Sequence, residues 1–262
     1  MGRNEIISKA RTLFWFICRP GLYPHLLQLL KRRLWLHNDR HKEAEAKEWS
    51  SGLAISEAEA LSQLVGLSVD EYRSLEELYP REINEAQTRV SNCPILMGGS
   101  GALNLIYYLT SHHRAENVLE TGVGYGWSSL ALLLAQQGVT DAKLISVDMP
   151  YPKAQNESYV GCAVPESLSG SWTLLRLADR SGIPRAIRKL GQVDLCHYDS
   201  DKSYSGRKWA YLVIWTALKR GGVFISDDIQ DNVAFKEFSE CVGNRPVIVT
   251  TQDKYVGVLM KK

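Results

Sequence analysis

The chain has 262 residues, of which 45% are hydrophobic and 23% are charged, and its formal net charge is +2. This length and composition are typical of a soluble globular protein with one sizeable domain and an extension. The five cysteines are widely spaced and form no Cys-x-x-Cys pair, which argues against a disulfide framework or a zinc site and favours a reducing cytoplasm.

The first 42 residues differ in charge from the rest of the chain. They hold nine Lys or Arg and two acids, a net charge of +7, whereas the remainder has 22 basic and 27 acidic residues. Apolar runs at 13–17 and 26–36 are interrupted well below the roughly 20 residues of a membrane span, so we expect no transmembrane helix and no signal peptide. Residues 1–42 are predicted either to rest on the inner, anionic face of a membrane or to form a helix pair for dimerisation or substrate covering.

Residues 43–86 are polar with a helical pattern, and Ser56 and Ser68 are each predicted to cap the start of a helix. Residues 87–101 are predicted to be a loop that ends in Gly98-Gly99-Ser100-Gly101, before a helix at 102–110. A glycine-rich turn at a helix start can bind an anion, but this one lacks the Lys and Ser/Thr of a phosphate loop. It is interpreted as a structural turn or a substrate gate.

From residue 117 onward, strand and helix patterns alternate. This predicts an α/β fold, a doubly wound sheet with right-handed parallel crossovers that closes with an antiparallel hairpin. A helical N-terminal extension (1–90) is expected to precede the sheet domain (91–262). The predicted strands are 118–120, 144–148, 172–177, 193–198, 222–226, 247–250 and 255–260, and the predicted helices are 128–136, 183–189, 207–218 and 232–241.

Acidic residues follow the predicted strands repeatedly. In a doubly wound sheet, ligands bind outside the carboxyl ends of the strands, near the point where the strand order reverses. One such acid is commonly a helix cap, but six on one rim suggest a binding site. The six are Glu120, Asp148, Asp179, Asp199, Asp227 and Asp228.

A turn with glycine at 122, 124 and 126 follows Glu120. Gly122, Gly124 and Gly126 are expected to let backbone approach a ligand, and the helix start at Trp127 and Ser128 favours a carboxylate there. A dinucleotide site more often has its third glycine at position 127, which disfavours a nicotinamide.

The acids of the first strands indicate the rest of the ligand. Glu120, at the tip of the first strand, suits a ligand that carries positive charge as well as hydroxyls, which points to S-adenosylmethionine. Asp148 is placed to accept the two ribose hydroxyls, and Asp179 could accept a hydrogen bond from the adenine amino group. A surface cap is the alternative role of Asp148 and of Asp179.

A second group of acids is formed by Asp199, Asp227 and Asp228. Like charges about 4 Å apart repel by roughly 4 kcal/mol at an effective dielectric constant of about 20, so a cation such as Mg²⁺ is expected among them. Lys202 could be a general base toward a metal-held hydroxyl, if burial and the nearby cation lower its pKa. The alternative to a metal is one carboxylate with a raised pKa that pairs with Lys202, and the alternative to a base is that Lys202 only neutralises the carboxylates. His197 is predicted to be structural.

Residues 94–260 resemble class I S-adenosylmethionine-dependent methyltransferases. The Asp199-Ser-Asp-Lys202 segment is similar to the Asp-Ala-Asp-Lys segment of plant-type caffeoyl-CoA O-methyltransferases, with Asp227 and Asp228 in the place of their metal ligands. With Val164-Pro165 included, the chain resembles more closely the bacterial cephalosporin-hydroxylase and macrocin-O-methyltransferase type, in many of which His occupies the position of Lys202. The resemblance implies metal binding by the three acids and a base role for Lys202.

These observations predict a cytoplasmic, metal-assisted O-methyltransferase, expected to be a homo-oligomer. The expected acceptor is a hydroxyl of a sugar or another small natural product, or else of a catechol-like phenol. Nucleic acid is disfavoured as a partner because residues 43–262 together have a net negative charge, with 22 basic and 27 acidic residues. The alternatives are a nicotinamide-dependent oxidoreductase on a similar fold and a non-catalytic nucleotide-binding scaffold.

Overall fold

One sheet of eight strands is at the centre of the computed structural model, which describes residues 12–34, 40–150, 157–251 and 254–262. The strand order is β1-β7-β8-β6-β5-β2-β3-β4, and all neighbours are parallel except β8, which runs antiparallel to β6 and β7. The strands are β1 (Ala54–Ile55), β2 (Asn117–Thr121), β3 (Lys143–Val147), β4 (Trp172–Leu175), β5 (Val193–Tyr198), β6 (Leu218–Ser226), β7 (Val247–Thr251) and β8 (Lys254–Met260). This is a Rossmann-like methyltransferase fold, and the predicted doubly wound sheet with its C-terminal hairpin is confirmed.

Helices cover both faces of the sheet. Residues 12–17 are also helical, and short 3-10 turns occur at Pro20–Leu22, Glu166–Ser171 and Ile229–Asp231. The α-helices are α1 (Tyr23–Leu34), α2 (Glu43–Leu53), α3 (Glu57–Val65), α4 (Leu75–Leu78), α5 (Pro80–Ser91), α6 (Leu103–His112), α7 (Trp127–Ala135), α8 (Asp179–Leu190), α9 (Tyr204–Ala217) and α10 (Ala234–Cys241).

The core has one layer on each side of the sheet, because successive side chains of a strand point to opposite faces. Val118 of β2 packs with α3 to α7 on one face, whereas Leu119 packs with α8 to α10 on the other. The central strands are therefore buried on both faces, which explains their continuous apolar runs.

Several element boundaries differ from the sequence-based prediction. The cap at Ser56 is confirmed, since its side chain accepts a hydrogen bond from the Glu59 N–H. Ser68 begins only a turn, and the next capped helix starts with a capping box at Ser74 and Glu77. Helix α8 starts four residues before the prediction and contains Pro184, a residue that usually marks a helix start rather than its interior.

The expected boundary near residue 90 does not coincide with a gap in the core. β1 pairs with β7 at the edge of the sheet, and Leu61, Leu75 and Ile83 pack in the same cluster as Val118. The polar helices of residues 43–91 each bury one apolar stripe, so this segment is built into the sheet domain.

Across the described segments of the chain, no helix is both long enough and apolar enough to cross a membrane. The five cysteines are all free thiols.

Packing between α8 and β3 positions the rim of the sheet, and Gly182 is the residue that allows it. A Cβ at Gly182 would overlap Cγ1 of Val147, whereas Gly52, in α2, has open space around its Cα. We expect Gly182→Ala to lower the free energy of unfolding by about 1–3 kcal/mol, because the overlap forces α8 away from β3.

The matched variant is Gly52→Ala, which should leave stability unchanged or raise it by up to about 1 kcal/mol, since it only removes a helical glycine. Urea unfolding of both variants tests this prediction. Equal stability of Gly182→Ala and the wild type would contradict the packing described here.

Candidate functional site

Two adjoining cavities open at the carboxyl ends of β2, β3 and β5. The chain passes from β2 to β3 and β4 on one side and to β5 and β6 on the other, so this is the switch point where ligands bind in such sheets. The first cavity has a volume of about 620 Å³ and the second about 410 Å³, both in the range of small-molecule sites. Both cavities are lined by Gly122, Asp148, Ser200 and Lys202.

Glu120 is fully buried and lines neither cavity. Its carboxylate accepts hydrogen bonds from the hydroxyls of Ser128 (2.6 Å), Ser129 (2.6 Å) and Ser146 (2.5 Å). Burial raises the pKa of Glu120, although His197 and the three hydroxyls favour the charged form. The Glu120 oxygens thus join β2 and β3 to the start of α7, and the contact between Glu120 and a ligand stays a prediction.

Neighbouring backbone atoms leave no room for a side chain at positions 122 and 124 of the glycine turn. Gly122, Gly124 and Gly126 have φ values of 79°, 52° and 88°, which side chains disfavour. A Cβ at Gly122 would overlap the Asp199 carbonyl oxygen, and one at Gly124 would lie 2.9 Å from the Met97 oxygen. The turn does border the first cavity, as do Trp127 and Ser128 at the start of α7 and the predicted gate loop 98–101.

Asp148, at the end of β3, lies between the two cavities and lines both. Its Oδ1 accepts a hydrogen bond from the Val123 N–H at 3.1 Å, and its Oδ2 pairs with Arg176. Arg176 also contacts Glu157 at 3.0 Å. A ligand hydroxyl bound by Asp148 would therefore share its carboxylate with the Arg176 guanidinium, which Glu157 also holds in place.

Asp179, the first residue of α8, lines the second cavity. It accepts a hydrogen bond from the Ser200 hydroxyl at 2.6 Å. Burial raises the pKa of Asp179 to about 6, and the nearby Asp201 adds to the shift. Trp209 lines the same cavity, with the Arg180 guanidinium 4.2 Å from its ring centre.

Lys202 is held between carboxylates. Its Nζ lies 3.3 Å from Asp199 Oδ1 and contacts Asp228, whose other oxygen is 3.2 Å from Lys254 Nζ. Burial alone would lower the pKa of Lys202, but Asp199 and Asp228 outweigh it and raise that pKa. The expected lowering of the Lys202 pKa is therefore wrong for this arrangement of charges.

The three predicted metal ligands are not equivalent. Asp199 and Asp227 line the first cavity; Asp199 Oδ1 lies 3.3 Å from Lys202 Nζ, whereas Asp227 Oδ1 is buried without a hydrogen-bond partner among the described residues. Burial and Asp227 raise the pKa of Asp199 to about 6. Asp228 lies outside that lining, with its carboxylate between two lysines. No group of three or more His, Cys, Asp or Glu side chains in the described segments could hold a metal ion.

His197 lines the first cavity, whereas the sequence suggested only a structural role. Its Nε2 lies 3.7 Å from Asp227 Oδ2, and its Nδ1 lies 4.0 Å from Glu120 Oε1. Burial disfavours the imidazolium, but Asp227 and Glu120 outweigh it and raise the pKa of His197. His197 lies at the site because the strand register pairs it with Glu120 across β5 and β2. This pairing cannot be deduced from the sequence alone.

Comparison with known proteins gives one family model and several solved structures of similar fold. A family model described as a methyltransferase domain matches residues 119–229. The fold is similar to the Bacillus cereus O-methyltransferase in complex with S-adenosylhomocysteine (13% identity, 78% of this chain and 96% of that chain, TM-score 0.53). It is also similar to the O-methyltransferase TomG of Streptomyces achromogenes, involved in tomaymycin synthesis, in complex with S-adenosylmethionine (14%, 79% and 100%, TM-score 0.51).

No curated protein sequence matches the chain. At these identities the solved structures show the fold alone, and the family model adds the methyltransferase domain. Together they support a class I methyltransferase.

The pKa of Asp179 gives a test of the electrostatics of the second cavity. Because its folded-state pKa is raised from 3.8 to about 6, the folded protein loses stability as the pH rises through this interval. Asp179→Asn keeps an oxygen for the Ser200 hydroxyl and has no charge to bury. We expect this variant to gain about 1–3 kcal/mol relative to the wild type between pH 4.5 and 7.5.

Urea unfolding of both proteins at the two pH values measures the difference. A difference that does not change with pH would contradict the raised pKa of Asp179.

Proposed function

We propose that this chain is an S-adenosylmethionine-dependent O-methyltransferase that acts on a hydroxyl of a small acceptor. The observation that carries the proposal is the position of Asp148 between two adjoining cavities, at the switch point of a sheet that carries a methyltransferase-domain match. One cavity suits the nucleoside of the cofactor, and the other suits its methionine part together with the acceptor.

The second cavity has the chemistry of an adenosine site. Asp148 would accept the ribose hydroxyls and Asp179 the adenine amino group, while Met149, Leu29 and Trp209 provide apolar surface for the base. A flat heteroaromatic ring beside a Trp and two aliphatic side chains gains both burial and stacking. No pyrophosphate is needed to explain this lining, which contains three carboxylates (Asp148, Asp179 and Asp201).

The first cavity has the chemistry of a site for a cation and a hydroxyl. The buried Oδ1 of Asp227, which has no hydrogen-bond partner among the described residues, and the Asp199 carboxylate, which pairs with Lys202, are acceptors that suit the cofactor's ammonium group, an acceptor hydroxyl or a metal ion. Bound S-adenosylmethionine supplies a methyl group already activated by its sulfonium. The task of the chain is then mostly to position the acceptor oxygen.

Lys202 would contribute as a cation. Since two carboxylates raise its pKa, Lys202 keeps its proton near neutral pH, so its proposed role is to offset their charge and orient the acceptor oxygen. Asp199 and His197 line the same cavity, and the two ring nitrogens of His197 have no hydrogen-bond partner among the described residues.

Magnesium assistance is part of the proposal. Asp199 and Asp227 would hold the ion, since Mg²⁺ is commonly bound through one or two carboxylates with water and substrate oxygens completing its octahedron. Asp228 would join them only by leaving Lys202 and Lys254. When bound, such an ion lowers the pKa of a coordinated hydroxyl.

The proposed acceptor is a sugar or another small natural product. The lining of the first cavity combines charged and hydroxyl groups (Lys202, Lys254, Ser100) with apolar ones (Ile95, Val256). A polyhydroxylated molecule would find both donors and acceptors there. A catechol-like phenol is the second choice.

Thermal unfolding with S-adenosylhomocysteine tests cofactor binding. A ligand that binds the folded state at 100 times its Kd adds about 2.7 kcal/mol, so the midpoint should rise by about 5–10 °C. Asp148→Asn keeps an acceptor for the Val123 N–H but weakens the hold on two hydroxyls, and should remove most of the rise.

Asp70→Asn, in an exposed turn away from both cavities, is the matched control and should respond like the wild type. A rise with NAD and none with S-adenosylhomocysteine would replace the proposal with the oxidoreductase, and a rise with neither would favour the scaffold.

Magnesium binding is tested by repeating the S-adenosylhomocysteine titration with Mg²⁺ and with EDTA. We expect Mg²⁺ to give an additional rise that Asp199→Asn removes, because Asp199 is one of the two carboxylates proposed to hold the ion. The Asp70→Asn control should keep the additional rise. Identical midpoints in Mg²⁺ and EDTA would show that the metal part of the proposal is wrong.

A further inference from the structure

The N-terminal hairpin, which we define as residues 12–34, packs on the protein through one side. It consists of the helical residues 12–17, the turn Pro20–Leu22 and helix α1. Phe16 and Leu22 are buried against Ala178, next to the start of α8. His25, Gln28 and Leu29 line the second cavity. The hairpin thus packs against the sheet domain and forms one wall of the second cavity.

The other side of the hairpin exposes large apolar side chains. Phe14 is 67% exposed and Leu27 is 59% exposed. On α1 the exposed apolar residues have the spacing i, i+4, i+7, which places them in one stripe along the helix. The hairpin holds six of the eleven exposed large hydrophobic residues in the described part of the chain, namely Leu13, Phe14, Ile17, Tyr23, Leu27 and Leu30.

The charge of the hairpin decides between the possible occupants of this surface. Residues 12–34 contain four basic residues (Arg19, Lys31, Arg32 and Arg33) and no acid. A second copy of the hairpin would bring like charges together over the apolar stripe. An anionic surface would instead neutralise them.

We infer that the N-terminal hairpin docks the protein on an anionic lipid bilayer, with its apolar side chains in the interfacial region and its basic residues among the headgroups. Helices of this length are too short to span a bilayer, whereas an amphipathic segment with apolar and basic residues can lie in the interface. Each basic residue near an anionic surface adds to the binding. Docking places the wall of the second cavity next to the bilayer.

Sedimentation of the full chain with vesicles tests this inference. Vesicles of phosphatidylcholine with about 30% phosphatidylglycerol should bind the protein at least tenfold more strongly than vesicles of phosphatidylcholine alone. Raising the salt from about 0.1 M to 0.5 M should weaken binding to the anionic vesicles, because it screens the basic residues.

Two variants separate the apolar from the charged contribution. Phe14→Ser with Leu27→Ser should weaken binding at least tenfold, and Lys31→Gln with Arg32→Gln and Arg33→Gln should remove the preference for anionic vesicles. The matched control is Val69→Ser with Leu212→Ser, two residues outside the hairpin whose side chains are 74% and 53% exposed, and it should bind like the wild type. Circular dichroism and the unfolding midpoint show that each variant is folded.

Equal vesicle binding by the wild type and the Phe14/Leu27 variant would overturn the inference, as would no binding to anionic vesicles. Conversion of a dimer to a monomer by that variant in ultracentrifugation, without vesicle binding, would assign the surface to a second copy instead. None of these readouts depends on methyl transfer, so their failure leaves the proposed function in place.

Discussion

The contact between Gly122 and Asp199 is the constraint on which the site depends. The Asp199 N–H donates a hydrogen bond to the Thr121 carbonyl at 2.8 Å, and a Cβ at Gly122 would overlap the Asp199 carbonyl oxygen. This approach joins β2 to β5 at the point where the strand order reverses, so it fixes the distance between Asp148 on one side and Lys202 on the other. Any side chain at position 122 would separate the strands and both cavities with them.

The charges around this contact are organised in two layers. Glu120, below the cavities, is held by three serine hydroxyls and keeps the glycine turn attached to β3 and α7. Above it, Lys202 and Lys254 offset the charges of Asp199 and Asp228. The resulting rim combines these paired charges with the Asp227 Oδ1, which has no hydrogen-bond partner among the described residues and can accept one from a polar ligand.

The sequence predicts the sheet well because its central strands are buried on both faces and therefore read as apolar runs that end in acids. The edge strand β1 is not predicted, since two residues give no pattern, and Ser68 and Ser74 present similar capping signals. The lining roles of Asp148 and Asp199 follow from strand ends. The buried position of Glu120 and the two lysines around Asp228 depend on side chains up to 26 residues apart in the chain, and no local pattern contains them.

The central claim is that the two cavities form one cofactor and acceptor site. A crystal structure of the full chain with S-adenosylhomocysteine tests it most directly. We expect the ribose at Asp148, the adenine in the second cavity beside Asp179, and the sulfur directed into the first cavity toward Asp199. Binding elsewhere on the protein, or an adenine in the first cavity, would contradict the account.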